Sequence, residues 1–186
     1  MSKRLFIAAD IPVSKNIIEL SQKLKQKLNN EGIKWVPLQN FHLTLKFLGD
    51  TDEVFIPGII NALQQSVSGI KPFDINIKGM GKFSSFGHTK VIWLGVDDKT
   101  NSLSDIATQV NKNLIDLGFA FEKRSFKAHL TLARVKYIRN ENFLSDLIQN
   151  YAHTQFQNHK VKEIILYQSI LKPSGPIYKP ISTISL

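Results

Sequence analysis

The chain has 186 residues, 42% of them hydrophobic and 10% aromatic, which is enough to bury a core and unlike the composition of a disordered segment. Its 24 Lys and Arg against 15 Asp and Glu give a net charge of +9, favouring polyanionic partners such as RNA, DNA or phosphorylated metabolites. There is no cysteine, so disulfides, thiolate catalysis and cysteine metal sites are excluded.

Met1-Ser2-Lys3-Arg4 enters an apolar run, Leu5 to Ala9, that reads as a central strand and is too short for a signal-peptide core. No apolar run approaches the ~20 residues of a membrane span, so no membrane is expected as partner and the expected location is cytoplasmic. Ser14 caps a helix carrying Ile17, Leu20, Leu24 and Leu28 on one face and Lys15, Lys23, Lys25 and Lys27 on the other. The helix stops at Asn29-Asn30-Glu31-Gly32. A short strand, Ile33 to Val36, precedes a second strand at about Phe41 to Leu48. Thr51 or Asp52 then caps a helix with Ile56, Ile59, Ile60, Leu63 and Val67 as its stripe, and Pro57 fits only in its first turn.

Phe73 to Lys78 alternates and reads as a half-buried strand; Gly79 to Gly87 reads as a loop before the strand Val91 to Val96. Leu103, Ile106, Val110, Leu114 and Leu117 define a third helix that ends at Gly118. A strand from about Lys127 to Val135, a helix near Phe143 to Gln149 and a strand from Val161 to Gln168 follow. The tail from Lys172 is interrupted by proline and glycine and is given no element. The order of elements repeats in the two halves, with no linker or low-complexity segment between them.

Inside that repeat lies an identity of sequence. His42-Leu43-Thr44-Leu45 and His129-Leu130-Thr131-Leu132 are the same word, and they hold two of only five histidines. Strand side chains alternate between faces, so His42 and Thr44 share one face while Leu43, Leu45 and Phe47 share the core face. Core packing has no reason to repeat His-x-Thr. Two such strands side by side present two imidazoles and two hydroxyls to one small anion. An imidazole can be acid or base near neutral pH, and displacement at a phosphodiester needs one of each. The threonine hydroxyls suit non-bridging phosphate oxygens.

Zinc sites need three or four ligands, and with no cysteine and no carboxylate in either word no metal or other cofactor is expected. His88, His153 and His159 read as surface residues. Lys46 falls on the His/Thr face by parity and is a candidate phosphate contact. Arg134 falls on the leucine face, and a charge there needs an anionic partner, so it too is a candidate phosphate contact if the strand end twists it toward the site. Phe41, Phe83, Phe86 and Trp35 are candidates for stacking a base, with core packing as the alternative.

The words Phe41-His42-Leu43-Thr44-Leu45-Lys46-Phe47-Leu48-Gly49 and His129-Leu130-Thr131-Leu132-Ala133-Arg134 resemble the paired HxTx motifs of the two-histidine (2H) phosphoesterase superfamily. Within it the chain resembles most the bacterial RNA 2′,3′-cyclic phosphodiesterases, also described as 2′-5′ RNA ligases. The similarity extends to Arg4-Leu5-Phe6-Ile7-Ala8, Gly32-Ile33-Lys34-Trp35-Val36, Val91 to Val96 and Leu166-Tyr167-Gln168-Ser169. It departs at Ala128, where the family commonly has proline, a change expected to affect rigidity rather than chemistry.

The resemblance implies an α+β fold, residues 1–186 forming a single bilobal domain. Its two pseudo-symmetric lobes would each be an antiparallel sheet backed by helices, with both HxTx motifs in a central cleft. It implies metal-independent hydrolysis of an RNA 2′,3′-cyclic phosphate end to a 2′-phosphomonoester. His42 would be the proton donor, His129 the proton acceptor, and Thr44 and Thr131 the phosphate-binding pair. The expected partner is RNA with such an end, or a cyclic nucleotide, and the protein is read as a monomer. Two alternatives stand beside this reading: 2′-5′ RNA ligation as the biological direction, and an RNA-binding module without catalysis.

Overall fold

The structure, a computed structural model, describes residues 1–173 and 175–186. The nearly continuous apolar run after Arg4 becomes β1 (Ser2–Asp10), whose Leu5 to Ala9 are all buried. It lies in the middle of a four-stranded sheet of order β3-β1-β8-β9, with β3 (His42–Asp52), β8 (Glu163–Lys172) and β9 (Gly175–Ser185). The second sheet has the order β2-β6-β5-β4-β7, formed by β2 (Gly32–Trp35), β4 (Phe73–Ser85), β5 (His88–Asp97), β6 (His129–Tyr137) and β7 (Gln155–Val161). Every paired neighbour is antiparallel.

The amphipathic stripes become four helices: α1 (Lys15–Lys27), α2 (Ile56–Val67), α3 (Ser102–Asn113) and α4 (Glu141–Gln149). α2 and α3 pack on each other and against β9 and β3, backing the four-stranded sheet, while α1 meets β7 and α4 meets β4 behind the five-stranded sheet. The fold is α+β with two lobes, each an antiparallel sheet backed by two helices. The lobes are not the chain halves, because the chain passes repeatedly between the sheets. The four-stranded sheet joins β1 and β3 to the C-terminal β8 and β9. As a result the two HLTL strands belong to different sheets, and β3 and β6 approach each other where the lobes meet.

Three stretches differ from the sequence expectation. Gly79 to Gly87 is not a loop: β4 runs on to Ser85. Gly81 faces Trp93 across the β4–β5 pair, and a Cβ there would collide with the indole, so this glycine serves a close approach within a strand. The stretch around Val161 forms two strands, β7 and β8, rather than one. The tail from Lys172 contributes β9, which tolerates Pro176 and Pro180 because it is an edge strand whose outer side needs no ladder donors. The third helix ends as expected by closure at Gly118 (φ 84), although its last turn, Ile115–Leu117, tightens to a 3₁₀ turn.

Candidate active site

Each HLTL word carries the same local device. In β3 the pairing with β1 skips one residue between Thr44 and Lys46, and in β6 the pairing with β5 skips one between Thr131 and Ala133. Both are β-bulges: two consecutive residues oppose one and the alternation of faces is broken. The sequence of burial is consequently the same in the two strands over six residues. The histidine and threonine are half-buried, both leucines and the following residue are buried, and the next residue is exposed.

The bulge reverses two parity expectations. Lys46, expected beside His42 and Thr44, turns inward and is 5% exposed. Its ammonium donates to Asn111 Oδ1 (2.6 Å) and to the Ala120 carbonyl (3.0 Å). Phe47, expected in the core, emerges on the cleft side at 59% exposure. By the same shift Ala133 is buried and Arg134 comes out into the cleft, so twisting of the strand end is not what delivers it. Phe47 and Arg134 are therefore structural counterparts, an aromatic ring from one lobe and a guanidinium from the other lining the same cleft.

His42, Thr44, His129, Thr131 and Arg134 all line one cavity of about 600 Å³ between the lobes. Each imidazole is set by the backbone in the same way. His42 Nδ1 lies 2.7 Å from the Asn40 carbonyl, and His129 Nδ1 lies 2.7 Å from the Lys127 carbonyl. A carbonyl can only accept, so Nδ1 carries the proton in both rings and Nε2 is left for chemistry. Asn40 is itself buried and donates through Nδ2 to the Pro176 carbonyl (2.8 Å), tying the turn before His42 to β9.

Aromatic rings brace both histidines. His42 packs at 4.9 Å from Phe6 and edge-on at 5.1 Å from Tyr178, and His129 lies edge-on to Phe83 at 4.9 Å. Lys127 lies over the Trp93 ring at 4.9 Å, beside the Thr131 partner position in β5.

Burial pushes both imidazoles below the ordinary histidine value, since desolvation penalises the cation. The smaller charge effects differ between them. Asp10, the register partner of His42 in β1, pulls that ring upward, with Arg134 and His129 opposing. Lys127 and Arg134 push His129 further down. The two rings share a word and a backbone clamp but not an electrostatic environment.

Of the base-stacking candidates, Trp35 and Phe83 line the cavity, Phe41 is buried in the core, and Phe86 stands fully out at the β4–β5 hairpin tip. Arg4, Lys34, Phe6 and Tyr178 line it as well and escaped the residue-by-residue reading. Arg4 and Lys34 sit within segments singled out for resemblance, whereas Tyr178 comes from the tail, where no periodic signal existed. His88 and His153 are exposed, and His159 is half-buried on β7 away from the cleft. Among the described residues no group of three or more His, Asp or Glu is placed to hold a metal ion, and no helix is long and apolar enough to cross a membrane.

The family model described as "LigT like Phosphoesterase" matches the chain twice, over residues 8–93 and 94–178, one match around each HLTL word. A Methanocaldococcus jannaschii protein named RNA 2′,3′-cyclic phosphodiesterase is 40% identical over 178 residues, covering 96% of this chain and 98% of its own length. One of the same name from Thermotoga maritima is 36% identical over 180 residues, covering 95% and 91%. Among solved structures, a Thermus thermophilus protein superposes with a TM-score of 0.77 at 25% identity, covering 98% of this chain and 97% of its own. Escherichia coli LigT, solved with 3′-AMP, shares the fold with a TM-score of 0.71 at 22% identity, covering 100% and 99%.

Proposed function

Because the chain belongs to the LigT-like phosphoesterase family, we propose that it hydrolyses 2′,3′-cyclic phosphate ends of RNA to 2′-phosphomonoesters by metal-independent acid–base catalysis. One observation carries the reading: two imidazoles, each with Nε2 free and a threonine hydroxyl two residues on, line one cavity from opposite lobes. The relatives named RNA 2′,3′-cyclic phosphodiesterase, matched over nearly their whole length, supply the substrate class.

His129 is the base. Its Nε2 takes a proton from water, and the water oxygen bonds to phosphorus. As the P–O3′ bond breaks, His42 Nε2–H delivers its proton to O3′, leaving the phosphate on O2′. Water supplies one proton and one hydroxyl, so the reaction balances without a further reactant. The difference in environment supports this division. The Asp10 carboxylate favours a protonated His42, and the Lys127 ammonium favours a neutral His129. Thr44 and Thr131 donate to the non-bridging oxygens while Arg134 neutralises the phosphate, as transition-state charge requires. Lys46 is too well enclosed and too fully engaged for that role. Each lobe contributes half of the site, so the 186 residues act as one bilobal unit.

The test is incubation with an RNA oligonucleotide ending in a 2′,3′-cyclic phosphate, in excess EDTA, beside His42→Ala and His129→Ala. Hydrolysis to the 2′-phosphate by the wild type, with a loss of about 10²–10⁴-fold in each variant, is expected. Activity that needs added metal, survives both substitutions or yields a 3′-phosphate sinks the proposal.

A further inference from the structure

A second cavity, of about 780 Å³, opens from the first through a shared wall of Thr44, Phe47, Phe83 and His129. Its far side is the segment that leads from α3 into the second HLTL word, and it carries Lys123, Arg124 and Lys127 against a single carboxylate, Glu122. All three cations are exposed, and no ion pair among the described residues engages them. Phe47 and Phe121 also face this space at 59% and 50% exposure, large apolar surfaces with nothing packed over them.

The segment has no regular secondary structure, yet it is held in place. Asn111 on α3 clasps Glu122 from both sides, Nδ2 donating to its carbonyl (3.0 Å) and Oδ1 accepting from its N–H (3.0 Å). The buried Lys46 bonds both Asn111 and the Ala120 carbonyl. The segment is therefore anchored at Ala120 and Glu122, immediately before the exposed Lys123 and Arg124.

We propose that this second cavity binds the RNA strand on the 5′ side of the cyclic end, with phosphodiesters at Lys123 and Arg124 and bases stacked on Phe47 and Phe121. The inference rests on the cyclic-phosphate reading of the cleft. A terminal 2′,3′-cyclic phosphate occupies both O2′ and O3′ of its ribose, so the rest of the strand leaves through O5′ and must find a path out of the cleft. A groove that begins at the phosphate-facing Thr44 and His129, bears unpaired cations and exposes aromatic faces has the make-up of a single-strand track: charge for the backbone, rings that accept any base. It makes the enzyme one for polynucleotide ends, with free cyclic mononucleotides as poorer substrates.

The experiment compares a six-nucleotide RNA ending in a 2′,3′-cyclic phosphate with the cyclic mononucleotide of the same terminal base, for wild type and Lys123→Ser/Arg124→Ser, across a range of salt concentrations. Wild type should prefer the oligonucleotide. The double variant should lose about tenfold in kcat/KM on it, mainly through KM, and flatten its log–log salt slope by about 1.4, the single-strand value for two phosphates. Turnover of the mononucleotide, which has no phosphodiester to reach these side chains, should stay within about twofold. Equal losses on both substrates, or no loss on the oligonucleotide, overturn the proposal. If the wild type hydrolyses neither substrate, the reading of the cleft fails separately. Fluorescence anisotropy with a six-nucleotide RNA bearing a 2′-phosphate end then decides the track: weaker binding by the double variant sustains it, and equal binding overturns it.

Discussion

Lys46→Met separates the two meanings this lysine can have. Strand parity makes Lys46 a phosphate ligand, whereas the bulge makes it a buried tie between the first HLTL strand and the segment entering the second. Methionine fills similar space without charge. It removes two donated bonds, of 2.6 and 3.0 Å, each worth about 1.5–3 kcal/mol when the donor is charged. Asn111 Oδ1 keeps the Glu122 N–H as a donor, so only the Ala120 carbonyl is orphaned. Against this, the variant is relieved of desolvating an ammonium, the cause of the lowered Lys46 pKa. The balance is a loss of about 2 kcal/mol, which for a chain of this size lowers Tm by about 4–8 °C.

Because the loosened segment ends at the Lys127 carbonyl that orients His129, kcat should fall about tenfold while KM for a cyclic mononucleotide moves little. Differential scanning calorimetry and steady-state kinetics on the same preparation measure both. An unchanged Tm with KM raised about tenfold or more would refute the structural argument and return Lys46 to the phosphate.

Other outcomes follow from the same geometry. Arg134→Met removes the cleft guanidinium delivered by the second bulge and should cost about 10- to 100-fold in kcat/KM with Tm within a degree or two, as read by kinetics and thermal melts. The free-enzyme pH profile of kcat/KM should be bell-shaped with its optimum on the acid side of the ordinary histidine value. Burial lowers both imidazoles, and the proposed roles require a neutral His129 and a protonated His42. The basic limb of kcat should lie at higher pH than that of kcat/KM, because bound phosphate favours the His42 cation; coincident limbs would contradict this. Away from the site, burial alone would raise the Glu141 carboxyl, but bonds from the Thr89 N–H and hydroxyl and from Lys82 outweigh it and hold it at about 2. A depressed folded pKa means stability present above the unfolded value near 4.5 and lost as pH falls toward 2. Glu141→Gln should cost about 1–2 kcal/mol at neutral pH and flatten that acid loss in urea titrations.

The candidate site of this protein is legible in the sequence because it sits in local words. His-x-Thr on a strand, repeated, needs only alternation to put an imidazole and a hydroxyl on one face, and apolar periodicity suffices to place α1 to α4. What lay beyond reach was whatever depends on pairing. A bulge is a property of two strands together, so no single-strand parity argument foresees that Lys46 goes in while Phe47 and Arg134 come out. Gly81 reads as part of a loop because its reason, the Trp93 ring across the ladder, is distant in sequence. The tail looked structureless because proline is compatible with a strand only at a sheet edge, and edges exist only once the sheet is assembled.

The amino-acid sequence by itself determined which groups are the candidates for the proposed chemistry: two imidazoles and two hydroxyls, in identical words and with no thiol to compete. Tertiary structure decided how identical words come to differ. By pairing β3 with β1 it set His42 opposite Asp10, whereas Lys127 acts on His129 from two residues upstream in the sequence. Burial and charge then act on two equal side chains in unequal surroundings, and a pKa belongs to the surroundings as much as to the residue.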